Sequence, residues 1–242
     1  MQFNFKNKKV LITGGTRGIG LEIAKAFEKL NAKVILTGTK DTFISKEFNY
    51  SYEKLFISEK YDWKNQVSSI IDKYDGFDIC INNAGINKIN RIEDTDYKDL
   101  ENIIQTNLTA PIYISSLVSK RMIENKKGSI INIGSIFGTV SKMGRNPYTA
   151  TKSGIIGVTK TMAIDLAEHN ILVNCVSPGF VDTELTREVL GEEQMKIMSE
   201  QIPMKRLASI KDITPIILFL CSEFNTYITG QNITVDGGFT LE

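Results

Sequence analysis

Short apolar runs alternate with amphipathic stretches along nearly the whole chain. Lys9-Val10-Leu11-Ile12-Thr13 is uninterrupted and ends in glycines, as a buried strand does. Behind it Ile19, Ile23, Phe27 and Leu30 recur at helical spacing, which predicts a helix over 19–30. The motif repeats, with strands predicted at 34–37, 77–81, 129–133, 172–176 and 233–235 and intervening helices that include 63–74 and 213–221. Continuous apolar strands separated by helices imply a parallel sheet covered on both faces. The expected fold class is therefore α/β, a doubly wound parallel sheet with helices on both faces. No repeat, low-complexity tract or linker breaks the alternation, so 1–242 is expected to form a single domain. Segment 182–208 is the exception, being polar with Met195, Met198 and Met204. It is expected to form a substrate lid or, alternatively, a surface helix packing its methionines on the body.

Composition narrows the partners. Of 242 residues 42% are hydrophobic, and 29 Lys+Arg balance 28 Asp+Glu to a net charge of +1. That balance gives no electrostatic case for nucleic acid or a membrane surface. The first residues lack an uninterrupted apolar signal-peptide core, and no stretch reaches the roughly 20 apolar residues that span a bilayer. Cys80, Cys175 and Cys221 are scattered among apolar neighbours without CxxC spacing, which suits buried free thiols in a reducing compartment. A cytoplasmic protein without a metal site is the expectation.

The first strand-to-helix junction reads Thr13-Gly14-Gly15-Thr16-Arg17-Gly18-Ile19-Gly20. Glycines there permit a tight turn and let backbone N–H groups approach a pyrophosphate at a helix N-terminus. A plain turn is the alternative, but position at the first βα junction favours a dinucleotide and hence a Rossmann-type sheet. NAD sites place an acid at the end of the second strand for the ribose hydroxyl. Here that strand ends Thr37-Gly38-Thr39-Lys40, and Asp41 comes too late. Arg17, Thr39 and Lys40 are placed to meet a 2′-phosphate, so NADP(H) is favoured over NAD(H), unless both cations are merely solvated.

Tyr148 and Lys152 lie four apart at the start of a predicted helix, on one face. A phenol titrates near pH 10, and an adjacent ammonium favours its ionised form, which suits acid–base work. Such a pair is also common on plain helix surfaces. Ser135 ends the 129–133 strand region at the sheet edge where ligands collect, where it either binds a carbonyl or caps a turn.

Taken together, these motifs resemble the short-chain dehydrogenase/reductase family over essentially the full chain. The glycine loop matches its cofactor loop, Asn82-Asn83-Ala84-Gly85 its NNAG motif, and Asn107, Ser135, Tyr148 and Lys152 its Asn-Ser-Tyr-Lys tetrad. Pro178-Gly179 with Thr183 matches the segment bordering the nicotinamide. The resemblance implies cofactor contacts from Gly14, Thr16, Arg17, Gly18, Ile19 and Gly20, and from Thr39 and Lys40. It implies further contacts from Asn83, Ala84, Gly85, Tyr148, Lys152, Pro178, Gly179, Val181 and Thr183. Tyr148 would protonate the carbonyl oxygen, and Lys152 would hold the ribose and assist the tyrosine. Ser135 would polarise the carbonyl, and Asn107 would anchor a water beside Lys152. The C-terminal third is most similar to 3-oxoacyl-(acyl-carrier-protein) reductases, which implies a 3-oxoacyl thioester on acyl carrier protein or coenzyme A. A homotetramer built on 112–122, 155–167 and the C-terminal region is also implied.

Four departures keep the substrate open. Phe56-Ile57-Ser58 replaces the acid that faces adenine in the family, and the carrier-docking arginines correspond to Lys126 and His169. The stretch 87–91 is unlike that of acyl reductases. Arg145, three residues before Tyr148 and near Lys142, is placed to receive a carboxylate or phosphate, or else to make a solvated or intersubunit salt bridge. Ser135, Phe137, Met143, Arg145 and Phe180 are the expected substrate contacts. A sugar-derived or other small polar, possibly anionic, alcohol is the alternative substrate. A catalytically idle cofactor-binding scaffold is the alternative outside enzymes.

Overall fold

The computed structural model describes residues 2–45, 48–58 and 61–241. Seven strands form one parallel sheet: β1 (Lys9–Ile12), β2 (Lys33–Gly38), β3 (Ser51–Lys54), β4 (Ile79–Asn82), β5 (Gly128–Ile133), β6 (Ile171–Pro178) and β7 (Asn232–Val235). Their order is β3-β2-β1-β4-β5-β6-β7, and every neighbouring pair is parallel. The helices are α1 (Gly18–Lys29), α2 (Trp63–Lys73), α3 (Tyr97–Ile104), α4 (Ala110–Glu124), α5 (Asn146–Ala167), α6 (Glu184–Gln201) and α7 (Ile210–Cys221).

Strand periodicity builds two cores. Val10, Ile12, Val34 and Leu36 point to one face, where they pack with Ile23 and Phe27 of α1 and Ile213 and Ile217 of α7. Leu11 and Ile35, one residue out of phase, join Trp63 and Val67 of α2, Ile114 and Val118 of α4 and Ala163 of α5 on the other. Each fully buried aliphatic contributes about 1.5–3 kcal/mol of transfer free energy, so the two-sided pattern dictates the layered fold. Burial also pushes the Cys80 and Cys221 thiols up to about 12, which leaves both protonated near neutrality. Among the described residues no helix is long and apolar enough to cross a membrane.

Beneath the site, buried amides tie helices to strands. Asn82 Nδ2 donates to Ser115 Oγ (2.9 Å) and to Asn132 Oδ1 (2.8 Å), while Asn132 Nδ2 donates to Thr159 Oγ1 (2.9 Å). This ladder runs from α4 through β4 and β5 to α5 and fixes the height of both helices on the sheet. Because all strands are parallel, the loops after β1, β4, β5 and β6 emerge at one edge.

Candidate active site

The loop after β1 is locked to the loop after β4. Thr13, buried, accepts from the backbone N–H of Asn83 (3.0 Å) and Ala84 (3.1 Å) through its hydroxyl. Asn83 Nδ2 returns two bonds, to the carbonyls of Thr13 and Gly14, both at 3.0 Å. Gly14 has φ +63°, and a Cβ there would stand 2.9 Å from Ala84 Cα, so glycine is required twice over. Gly18 differs: its φ is +53°, but a Cβ would meet nothing within 4 Å, because it faces open space. At that point α1 begins with no side-chain cap, leaving its first N–H groups without the usual partner. A cavity of about 410 Å³ opens there, lined by Gly18, Leu21, Glu22, Asp182, Thr183, Arg187 and Ile210. An uncapped helix N-terminus facing an open cavity fits the diphosphate of a dinucleotide. Thr13 was not among the site residues expected from sequence, although its buried hydroxyl organises both loops.

Thr39 and Lys40, just past the end of β2, are exposed, as is Arg17 in the loop after β1. Asp41 is ion-paired with Lys54 at 2.5 Å, and that ammonium holds its carboxyl below the usual range. The Lys40 carbonyl accepts from the Tyr52 hydroxyl at 2.5 Å, which fixes the turn.

Ser135 follows β5, where its hydroxyl accepts from Phe137 N–H at 3.2 Å. Tyr148 and Lys152 occupy the first turns of α5, with Lys152 Nζ 5.6 Å from the tyrosine ring centre. Lys152 is only 5% exposed, and its ammonium donates to the Ile133 carbonyl at 2.6 Å. An ammonium has three donors, so up to two remain for a ligand. Asn107 lies in a π-helical turn, Gln105–Thr109, between α3 and α4. Its Nδ2 donates to the Ile86 carbonyl (2.8 Å) and to Thr151 Oγ1 (3.3 Å), and its Oδ1 accepts from Ile86 N–H (2.8 Å). A Cβ on Gly85 would lie 3.5 Å from Asn107 Oδ1 and 3.9 Å from Lys152 Nζ, so the three meet in one place. Among the described residues no direct hydrogen bond joins the four tetrad side chains; shared neighbours bring them together.

An aromatic file runs away from Tyr148. Its ring meets Phe137 edge-on at 6.4 Å, Phe137 meets Phe180 at 6.0 Å, and Phe180 meets Phe239 at 5.0 Å. Phe239 was not expected from sequence. It is presented by the turn after β7, where Asp236 accepts from the N–H groups of Gly238 (3.0 Å) and Thr240 (2.8 Å). The Arg145 guanidinium carbon lies 5.3 Å from the Phe137 ring centre. Met143, 72% exposed, joins none of these ring contacts, and Lys142 is exposed as well.

Segment 182–208 forms α6 between a strand bridge at its base and the start of α7. Val181 and Ala208 bridge at its base, and α6 breaks at Gly191, with φ +70° and ψ 167°. Thr183 caps α6 through Thr186 N–H (3.2 Å) and, with Arg187, lines the cavity opposite Gly18. Met198 is meanwhile buried against the body.

A family model described as enoyl-(acyl carrier protein) reductase matches residues 14–240. The chain belongs to the short-chain dehydrogenase/reductase family. As a short-chain dehydrogenase/reductase it is an oxidoreductase acting on CH–OH groups with a nicotinamide cofactor of the NAD(P) type. Among its curated relatives, the 3-oxoacyl-(acyl-carrier-protein) reductase FabG of Chlamydia pneumoniae is 36% identical over 99% of this chain and 100% of that protein. FabG of Aquifex aeolicus is 37% identical over 98% of this chain and 99% of that one. Among solved structures, a gluconate 5-dehydrogenase from Burkholderia cenocepacia in complex with NADP and tartrate has a TM-score of 0.90 at 26% identity, covering 99% of this chain and 98% of its own.

Proposed function

We propose that this protein is an NADPH-dependent carbonyl reductase whose favoured substrate is a 3-oxoacyl thioester. The observation that carries the reaction is the Tyr148–Lys152 pair, with the ammonium anchored on the Ile133 carbonyl beside the phenol ring. When bound, NADPH supplies the hydride. Tyr148 delivers the proton to the carbonyl oxygen, and the Ser135 hydroxyl donates to the same oxygen while its lone pair receives Phe137 N–H. Lys152 offers its remaining donors to the nicotinamide ribose and stabilises the negative charge left on Tyr148. Asn107 fixes the segment after Gly85 through Ile86 and tethers it to α5 through Thr151.

Similarity to FabG proteins along the full chain supports the thioester, carried on acyl carrier protein or coenzyme A. NADP(H) is favoured over NAD(H) because Asp41 is committed to Lys54, whereas Thr39 and Lys40 after β2 and Arg17 after β1 are exposed. We assign residues 1–242 to one dinucleotide-binding domain with 182–208 as its lid. A homotetramer is proposed through α4 and α5, where Ile112 and Ile164 stand exposed. A second reading, a small polar alcohol as substrate, is favoured by Arg145 at the rim.

Steady-state turnover of acetoacetyl-coenzyme A with NADPH and NADH tests the principal reading. Turnover with a clear NADPH preference is expected. No activity at millimolar thioester would sink the substrate assignment, and equal use of NADH would sink the role given to Thr39 and Lys40.

A further inference from the structure

Arg145 is the arginine whose surroundings least explain its charge. The more exposed Arg91, Arg121, Arg187 and Arg206 pair with carboxylates, and Arg17, which forms no such pair among the described residues, is exposed to water. Arg145 is half-buried, yet among the described residues no carboxylate lies within ion-pairing distance of it. Burial pulls its guanidinium below the usual range, and Tyr148 is the one ionisable neighbour that opposes this. Removing a guanidinium from water without an anionic partner costs stability, which makes the site receptive to an arriving anion.

The side chain is also placed with purpose. Asn90 N–H donates to the Gly144 carbonyl (3.2 Å), and Thr149 N–H to the Arg145 carbonyl (2.7 Å), so the backbone is held on both sides. The guanidinium lies over Phe137, whose ring meets Tyr148. The ring offers the guanidinium no hydrogen-bond acceptor, so its N–H groups keep capacity for a fork-like contact with a planar carboxylate.

We propose that Arg145 binds a carboxylate, so that beside the thioester the site takes a second substrate class, an oxo acid or the matching hydroxy acid, with its carboxylate a few bonds from the reacting carbonyl. This rests on the carbonyl-reductase chemistry proposed above and not on the thioester. Lys142, exposed, contributes only to attraction at a distance.

The test uses the full chain with NADPH and matched pairs of 3-, 4- and 5-oxo carboxylic acids and their methyl esters. In the wild type the best acid is expected to exceed its ester in kcat/KM by about tenfold or more. Arg145→Gln should lose about that factor on the acid, mostly in KM, and several-fold less on the ester and on acetoacetyl-coenzyme A. Arg145→Lys should recover part of the loss. Equal use of acid and ester by the wild type overturns the proposal, as does an Arg145→Gln variant that slows both alike. A variant that changes the oligomer size without changing acid discrimination assigns Arg145 to a subunit contact and also overturns it. Turnover of the thioester with no oxo-acid preference sinks Arg145 alone. No turnover of any carbonyl and no NADPH-induced rise in Tm sinks the reductase reading, and the Arg145 proposal with it.

Discussion

The two ends of the active-site edge are built in opposite ways. Between β1 and β4 the polar groups are bound to protein: Thr13 serves two N–H groups, and Asn83 serves two carbonyls. Between the loops after β5 and β6 the reverse holds, since rings meet rings and a half-buried guanidinium has an aromatic face for company. A loop pinned to its neighbour by the Thr13 and Asn83 bonds keeps one geometry, as positioning a dinucleotide demands. A group left underpaired retains capacity for whatever arrives. On the proposed reading, positioning and selection are separated along one sheet edge, with Tyr148 and Lys152 between them.

The largest effect should come from the centre. Tyr148→Phe removes the proton donor and is expected to lower kcat by about 10³-fold while NADPH binding, read by nucleotide fluorescence, is retained. Activity within tenfold of wild type would move the proton to another group. An unchanged biological role despite lost turnover would favour the idle scaffold. Next come the locked elements. Asn132→Ala takes one bond from the Asn82 amide, which keeps Ser115, and one from the Thr159 hydroxyl, which keeps the Ile155 carbonyl, and it leaves a buried cavity; together these should cost about 3 kcal/mol in urea unfolding. Thr13→Val leaves the Asn83 and Ala84 N–H groups unpaired and should cost about 2 kcal/mol, with NADPH affinity falling about tenfold. If Thr13→Val spared cofactor affinity, the lock would be structural only, and the contrast between the two ends would lose its functional meaning.

Much of this was legible in sequence because burial on both faces forces apolar runs. The strands at β1, β2, β4, β5 and β6 could be read that way, each with its boundaries off by a residue or two. Ser51–Lys54 could not be, because an edge strand with β2 as its one partner needs no apolar run. The start of α7 lies at Ile210 rather than near 213, since the first turn is set by the Ser209–Asp212 capping box and not by apolar spacing. Asn107 was found by motif, but the π-turn that presents it has no periodicity signal. Thr151 and Phe239 escaped because their roles depend on contacts made across the fold: Thr151 with Asn107, and Phe239 with Phe180. The glycine pair after β7, Gly237-Gly238, was the available clue to the second.

The smallest expected effect tests how firmly the base of segment 182–208 is held. Asp212 accepts from Arg206 through two bonds (2.8 and 3.0 Å) and from Ser209 N–H (2.6 Å) and its hydroxyl (2.8 Å). These donors, the Arg206 guanidinium first, hold its carboxyl well below the usual range. A depressed folded-state value means the contribution is complete above the unfolded value of about 4 and fades as pH falls through the folded one. The pair is partly exposed, so solvent screening reduces it, and Asp212→Asn should cost about 1 kcal/mol at pH 7. The gap between variant and wild type should begin to close as the pH falls below about 4 toward the depressed folded value, because protonation removes from the wild type the charge that the variant lacks. A gap that stays constant from pH 7 to pH 3 would show that the charge of Asp212 contributes nothing, and that the cap works through hydrogen-bond geometry alone.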